Sequence, residues 1–313
     1  MLTSPFNLKM LAIKLLFCVT LSSLLTSSTG DRLDDSVTML RDNMVTVRNY
    51  AGKLEREYKA FSQKVYGHCA SCKWIKNHHE DYCDCQDFEP RQDCLAFKRA
   101  GFNTSGVYKI NGPHFSVIST YCDQTTQGGG WTVFQRRQDG FANFQRDWLG
   151  YKSGFGKLSG EFWFGNDKLH DLTNARVAPK KSELLINMRM RGIHHSMPSK
   201  YVFAACNGFE VGNENSKYLL SLGKLHGNVS NPNAFWYHNH RQFSTMDNDN
   251  DHSQSNCSGE RKNVGWWFGD CYNTLLNGVY SFNRQHGEHG EIMWDQKNQE
   301  QPDFVEMKFR RIL

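Results

Sequence analysis

Residues 243–257 read FSTMDNDNDHSQSNC, and the sequence WWFGDC follows at 266–271. Asp247, Asp249 and Asp251 occupy alternate positions in this segment, directly before a cysteine. Calcium binds several oxygen ligands at about 2.3–2.6 Å, and alternating carboxylates in an irregular loop can surround the ion. The pattern predicts a calcium loop held in shape by cysteines, which is typical of a module that recognises a ligand rather than transforms it.

An EF-hand is the main alternative for such a loop, and the spacing argues against it. Counted from Asp247 or Asp249, the sixth position is His252 or Gln254, where an EF-hand requires glycine. Neither flank has the pattern of an amphipathic helix. A solvated acidic turn is the simpler alternative, since aspartate and asparagine favour turns.

Residues 1–30 have the composition of a secretory signal peptide. They contain Lys9 and Lys14, no acidic residue, an apolar run over 15–25 and a stretch of small residues. The apolar run is shorter than the roughly 20 residues that span a bilayer. We therefore expect a secreted, extracellular protein without membrane insertion, with an uncleaved anchor as the alternative.

Charge and cysteine content narrow the function classes further. Removing the two lysines of the signal lowers the formal net charge from +5 to +3, which is too small to indicate nucleic-acid binding. Of the ten cysteines, only Cys18 lies in the signal. In a secreted protein the other nine predict disulfides, and their odd number leaves one thiol free or bonded to another chain.

Residues 31–66 predict a coiled-coil helix that joins copies of the chain into a dimer or trimer. Apolar residues recur alternately four and three positions apart without an internal proline. An amphipathic helix packed on its own domain is the alternative. The apolar positions are Leu33, Val37, Leu40, Met44, Val47, Ala51, Leu54, Tyr58, Phe61 and Val65.

Residues 67–89 form a cysteine-rich linker. Cys69, Cys72, Cys83 and Cys85 lie among several histidines, so a zinc site is one alternative. The spacing at 83–85 suits zinc poorly, and the secretory context favours oxidation. We expect disulfides here, some of which could link chains of the oligomer.

Residues 90–313 have the sequence pattern of a globular domain rich in strands and loops. Short apolar runs alternate with turns rich in glycine and asparagine, and helical periodicity is scarce. The apolar runs are VYKI at 107–110, FSVIS at 115–119, WTVFQR at 131–136, ELLINM at 183–188, YVFAA at 201–205 and FVEMKF at 304–309.

This part of the chain resembles the fibrinogen C-terminal domain family. The similarity runs from about residue 90 to 311 and rests on motifs that stand in the family's order. These are DC at 93–94, SGVYKI at 105–110, YCD at 121–123, GGGWTVFQRRQDG at 128–140, GFGKLSGEFWFGNDKLHDLT at 154–173, FSTMDNDND at 243–251, the cysteines at 257 and 271, LNGVY at 276–280 and VEMKFR at 305–310. The resemblance implies an α+β fold with a central antiparallel sheet, short helices and a loop-rich calcium-binding lobe.

The resemblance also implies a set of calcium ligands. The side chains of Asp249 and Asp251 and the main-chain carbonyls of Ser253 and Ser255 would bind the ion, while Asp247 would support the loop. The family's disulfides correspond to Cys94–Cys122 and Cys257–Cys271. Cys206 has no partner in the family pattern, and as a free thiol it is expected to be a small buried apolar residue.

In lectin-like members of the family a pocket for acetyl groups lies beside the calcium loop. Its counterparts here are Asp270, Cys271 and Tyr272, with His289 or Glu288 near by. The family pocket has a cis peptide before the second cysteine, here Asp270–Cys271, and a histidine where this chain has Tyr272. That substitution predicts a different ligand for the pocket, and a vestigial site is the alternative.

Glycosylation sequons begin at Asn103, Asn228 and Asn256, and Asn256 is the least suited to glycosylation because of its place in the loop.

The pairs His194–His195 and His238/His240 lack acidic or cysteine partners at ligand spacing, so surface or packing roles are expected. The sequence has no nucleophile elbow, phosphate loop or zinc-protease helix, so an enzyme is not expected.

These features together predict a secreted, oligomeric, calcium-stabilised recognition protein. The leading hypothesis is lectin-like binding of acetylated or other surface glycans, in innate pattern recognition or agglutination. A receptor ligand resembling the angiopoietins, with a cell-surface receptor as partner, is the first alternative. A tenascin-like matrix interaction module is the second.

Overall fold

The computed structural model describes residues 44–46, 69, 72–76, 81–112, 116–174, 181–190, 199–281 and 290–312. The chain divides into two units, Met1–His68 and Cys69–Leu313. In the first unit only 44–46 are described, as a turn of helix. The signal-peptide and coiled-coil predictions otherwise fall outside the described residues.

The second unit is built on a mixed sheet with a few short helices. The strands are β1 (Lys73–Lys76), β2 (Asp81–Asp84), β3 (Gly106–Asn111), β4 (Val117–Asp123), β5 (Trp131–Arg137), β6 (Phe155–Gly156), β7 (Phe162–Trp163), β8 (Ser182–Met190), β9 (Lys200–Val211), β10 (Leu220–Ser221), β11 (His226–Gly227) and β12 (Pro302–Arg311). The α-helices are α1 (Cys94–Arg99), α2 (Trp148–Ser153), α3 (Asn166–Thr173) and α4 (Cys257–Glu260), and 3₁₀ turns lie at Thr126–Gly128, Glu214–Ser216 and Pro232–His238.

The strand order is β1-β2-β3-β4-β5-β12-β8-β9-β10, with β7 also paired to β5 and β11 to β9. The pairs are antiparallel except β2–β3, which meet in parallel at Asp84 and Val107. The central antiparallel sheet and short helices implied by the resemblance are confirmed. Five of the six apolar runs lie on β3, β5, β8, β9 or β12, and the run at 115–119 continues into β4, which begins at Val117.

The C-terminal strand β12 lies at the centre of the sheet, between β5 and β8. All residues of β5 are buried, including Arg136 and Arg137. Arg136 donates to Glu306 at 2.7 Å, and Arg137 donates to the carbonyl oxygen of Gly278 at 2.6 Å. Arg136 therefore joins β5 to β12, and Arg137 joins β5 to the loop that contains Gly278.

A loop-rich lobe follows β11 and returns to the sheet at β12. Within its described residues the only helices are the 3₁₀ turn Pro232–His238 and α4. Its core is aromatic and continuous with that of the sheet: Trp267 lies 5.9 Å from Trp163 and 5.4 Å from Trp266, ring centre to ring centre. The rigid sheet thus positions the loop predicted to bind calcium.

Candidate functional site

The loop after Phe243 is anchored to helix α2 through Asp247. The Asp247 carboxylate accepts hydrogen bonds from the hydroxyl of Thr245 at 2.8 Å and from the main-chain nitrogen of Trp148 at 2.9 Å. Asn250 donates to the carbonyl oxygen of Phe243 at 2.9 Å. Asp247 thus has the supporting position that the resemblance implies for it.

Asp249 and Asp251 lie side by side in the loop. The Asp251 carboxylate accepts from the main-chain nitrogens of Ser253 and Cys257, each at 2.9 Å, and Asp249 accepts from the nitrogen of Asp251 at 3.2 Å. Burial raises the pKa of Asp251, the two main-chain donors oppose this, and the adjacent Asp249 carboxylate adds to the increase. Two carboxylates in contact repel each other, and a cation between them would relieve that repulsion.

The carbonyl oxygens of Ser253 and Ser255 accept no hydrogen bond from any described residue. Both are available to a hard cation, which binds carboxylate and carbonyl oxygens. Nowhere in the described part of the chain do three or more Asp, Glu, His or Cys side chains cluster as metal ligands. The donors present fit a calcium site of two carboxylates and two carbonyls, completed by water.

The disulfide Cys257–Cys271 closes the segment that follows the loop, with its two ends 14 positions apart in sequence. A cross-link of that span stabilises a fold by about 3 kcal/mol in the chain-entropy model. Asn256 caps α4 by accepting from the nitrogen of Gly259 at 2.8 Å, and it donates to the carbonyl of Met246 at 3.1 Å. The side chain of the third sequon is therefore engaged in the loop.

The 3₁₀ turn Pro232–His238 holds the segment that contains Cys271. The Tyr237 hydroxyl donates to the carbonyl oxygen of Asp270 at 3.0 Å and accepts from its nitrogen at 2.9 Å. His238 Nδ1 lies 2.7 Å from the carbonyl oxygen of Trp267, and Nε2 accepts from the nitrogen of Thr274 at 3.0 Å. Since Nε2 is an acceptor, the imidazole is neutral with its proton on Nδ1.

Burial lowers the pKa of His238 to about 4, which keeps the ring neutral at physiological pH. The packing role expected for this histidine is confirmed, and His240 is exposed. The sequence did not reveal that His238 bridges two loop segments, because both its partners are main-chain atoms about thirty residues away.

Tyr272, a residue of the predicted ligand pocket, is only 6% exposed. Its hydroxyl accepts from the nitrogen of Gly290 at 3.5 Å, and the Arg261 guanidinium lies 5.8 Å from the ring centre. A Cβ on Gly290 would lie 2.9 Å from the main chain of Arg261, so these two segments pack directly on each other. Tyr272 is therefore covered.

The other residues of the predicted pocket differ in exposure. Asp270 is exposed, and Cys271 is buried in its disulfide. His289 and Glu288 lie outside the described residues. The expectation of a cis peptide at Asp270–Cys271 is wrong: no peptide bond in the described ranges is cis, and the trans form of a non-proline bond is favoured by about 3 kcal/mol.

Two large apolar side chains are exposed where helix α2 meets the loop 243–257. Leu149 is 64% exposed and Met246 is 52% exposed. They are the chain neighbours of Trp148 and Asp247, which are joined by the hydrogen bond described above. Exposed apolar side chains that lie on one surface are typical of protein–protein contact sites.

The described cysteines other than Cys206 form four disulfides within the chain. Cys94–Cys122 and Cys257–Cys271 are the pairs implied by the resemblance. Cys69–Cys83 and Cys72–Cys85 join the segments of the linker. With these pairings none of the four linker cysteines is available to bond another chain, or to bind zinc as a free thiolate.

Cys206 is free and buried, and burial raises the pKa of its thiol to about 11.

Asn103 and Asn228, the two better sequons, are exposed. No helix in the described ranges is long and apolar enough to cross a membrane.

Known proteins share this domain. Ryncolin-4 of Cerberus rynchops is 41% identical over 198 residues, which are 63% of this chain and 53% of that protein. Angiopoietin-related protein 7 of Homo sapiens is 38% identical over 206 residues, 64% of this chain and 56% of that protein. Tenascin-R of Mus musculus is 39% identical over 225 residues, 71% of this chain but 16% of that protein. The chain thus matches about half the length, or less, of these relatives.

Solved structures agree with the fold. The fibrinogen-like globe domain of human ANGPTL6 superposes with a TM-score of 0.64 and 32% identity, covering 72% of this chain and 97% of the domain. That of human ANGPTL2 gives 0.62 and 34%, covering 71% of this chain and 99% of the domain. Residues 90–311 match the family model for the C-terminal globular domain of fibrinogen beta and gamma chains, and the chain belongs to this family.

Proposed function

We propose that this chain is a secreted, oligomeric recognition protein whose calcium-loop lobe binds a protein on a cell surface or in the extracellular matrix. The binding surface comprises Leu149, Met246 and the calcium loop; we call it the loop face. The observation that carries the proposal is the exposure of Leu149 and Met246, the neighbours of the hydrogen-bonded residues Trp148 and Asp247. Similarity to angiopoietin-related protein 7 and tenascin-R supports a protein partner.

Calcium would be held by Asp249, Asp251, Ser253 and Ser255. Bound there, it would neutralise the adjacent carboxylates and order the loop. Asp247 ties that loop to α2, so an ordered loop also fixes Met246 relative to Leu149. The protein would act by recognition, and the proposal assigns no catalytic residue.

Binding of acetylated glycans is the second candidate. It is the weaker one because Tyr272, a residue of the predicted pocket, is buried. A pocket for a small group needs a concave, accessible wall. Here Arg261 and Gly290 lie over the tyrosine instead. A surface with exposed apolar side chains such as Leu149 and Met246 suits a protein better than a single acetyl group.

Oligomerisation through residues 31–66 would provide avidity. Linking several weak heads raises apparent affinity by about 10²–10⁴ when the partner offers matching sites. Asn103 and Asn228 would carry glycans, which fits an extracellular protein.

The experiment uses the purified full-length protein in calcium, applied to a panel of cultured cell lines and to acetylated-sugar resin. Cells are tested untreated, after trypsin and after a glycosidase mixture. We expect binding that trypsin removes and glycosidases leave, with no retention on the resin. Retention on the resin, together with cell binding that survives trypsin, would establish the glycan candidate instead.

The double variant Leu149→Asp, Met246→Asp tests the loop face directly. Because charges on this face would have to be desolvated against the partner, we expect at least a tenfold loss of cell binding. Val117→Asp is the matched control, since Val117 is 51% exposed on β4. Equal binding by the double variant and the control would exclude the loop face.

A further inference from the structure

A cavity of about 430 Å³ lies on the sheet side of the domain and shares no residue with the loop face. It is formed where the end of β12 meets β3, β5, α3 and the residues that precede α1. Its apolar wall comes from Ile110, Leu172 and Phe309, and charged residues, among them Arg310 and Arg311, complete the lining. Ligand sites in proteins have volumes of about 300–1,000 Å³ and combine apolar walls with a few polar groups.

The two arginines of this cavity differ in what they can offer a ligand. Arg310 uses two of its three nitrogens: Nε donates to Glu183 at 2.7 Å and Nη1 to the carbonyl of Gly129 at 2.6 Å, and its guanidinium lies 4.1 Å from the Trp131 ring centre. Arg311 uses only its Nε, which donates to Asp93. Its two terminal nitrogens donate to no described residue, although the side chain is only 16% exposed.

The terminal nitrogens of Arg311 lie beside an apolar wall. They can donate in parallel to a carboxylate, and such charge-assisted pairs are stronger than hydrogen bonds between neutral groups. The cavity also contains the carboxylates of Asp93 and Asp171, and Arg310 is paired with Glu183. Because three carboxylates already offset the two arginines, a ligand with two negative charges is disfavoured relative to one with a single charge.

We propose that this cavity binds a monocarboxylate with an apolar body, such as a phenyl- or alkyl-alkanoic acid or the C-terminal residue of a peptide. The carboxylate pairs with the terminal nitrogens of Arg311. The apolar body packs on Ile110, Leu172 and Phe309. The site is independent of calcium and of the loop face.

The test measures binding of 5-phenylpentanoate to the full-length protein by saturation-transfer NMR and calorimetry. Matched probes are 5-phenylpentanol, which lacks the charge, 4-phenylbutyl phosphate, which adds a second charge, and a tripeptide ending in phenylalanine as free acid or amide. We expect the acid to bind about tenfold more tightly than the alcohol or the phosphate. Comparing the peptide acid with its amide shows whether the carboxylate that binds can come from a peptide C-terminus or only from a free acid.

Two variants separate recognition from folding. Arg311→Gln should remove the preference for acid over alcohol, and Leu172→Trp, which fills the cavity but keeps Arg311, should abolish binding of both. Arg189→Gln, at another arginine paired with an acid, is the control and should bind as the native protein does. Equal binding of acid and alcohol, undiminished binding by Leu172→Trp, or no binding of either acid probe at millimolar concentration would each overturn the proposal.

Discussion

A buried ion pair connects the C-terminal strand β12 to β4 in the sheet. Lys308 donates to Asp123 at 2.6 Å and to Glu306 at 2.7 Å, and its side chain is 1% exposed. Burial lowers the pKa of Lys308, but the carboxylates of Glu306 and Asp123 raise it above its ordinary value. The same contacts keep the pKa of Asp123 far below its usual range despite burial. Nothing in the apolar pattern of VEMKFR predicts that its lysine lies inside.

Replacing Lys308 with methionine should destabilise the domain by about 3–5 kcal/mol, because buried Asp123 would lose its cation and Glu306 would keep only Arg136. Urea unfolding followed by tryptophan fluorescence measures the loss. Lys73→Met is the control: Lys73 pairs with Asp87 on the surface, where an ion pair contributes about 0–1 kcal/mol. Similar losses in both variants would show that the buried network has no special role.

Among the elements, the 3₁₀ turn Pro232–His238 does most to shape the lobe. Tyr237 and His238 hold the backbone at Asp270, Trp267 and Thr274, so one short element fixes the segment that carries Cys271. Neutral His238 accepts from the nitrogen of Thr274, and a protonated ring could not. The lobe is therefore sensitive to acid at this point.

We expect stability to fall as pH drops from about 6.5 towards 4. In the unfolded chain a histidine has a pKa of about 6.5, whereas that of folded His238 is about 4. The unfolded state takes up the proton first, so acid favours unfolding by up to about 3 kcal/mol, a contribution that levels off below pH 4. Denaturation curves of native protein and His238→Gln measure this slope.

The variant should be less stable at neutral pH and show a smaller decrease in stability between pH 6.5 and 4. His240→Gln, at an exposed histidine, should retain the native slope. An unchanged slope in His238→Gln would refute the assignment.

The elements differ in how far the sequence could predict them. Strands with apolar runs and motifs in family order were predictable, because local pattern and resemblance agree there. The burial of Arg136 and Arg137 on β5 was not, since their partners lie on β12 and in the distant loop 276–278. The proposed calcium ligands come from the family resemblance, while spacing only argued against an EF-hand. The burial of Tyr272 was not predictable either, because it depends on Arg261 and Gly290, which contact Tyr272 only in the folded chain.

At the scale of the whole molecule, the disulfides decide how chains can be joined. Cys69–Cys83 and Cys72–Cys85 lie within one chain, and Cys206 is buried. Association would then depend on the predicted coiled coil of residues 31–66 and not on covalent links. The heads would separate when that helix is lost.

Light scattering should therefore give a dimer or trimer under native conditions, and a denaturing gel without reductant should give a single chain. Peptide mapping should recover the four pairs within the chain. Deleting residues 31–66 after the signal should yield monomers with intact disulfides. Covalent dimers on the non-reducing gel would contradict this account.

Calcium binding tests the central claim most directly, because we propose that the ion orders both the loop and the loop face. Calorimetric titration of the metal-free protein with calcium should give one site per chain. Asp249→Asn should abolish binding, while Asp87→Asn, which removes a surface carboxylate outside the loop, should leave it unchanged. Native protein that binds no calcium, or an Asp249→Asn variant that binds it equally well, would contradict the account.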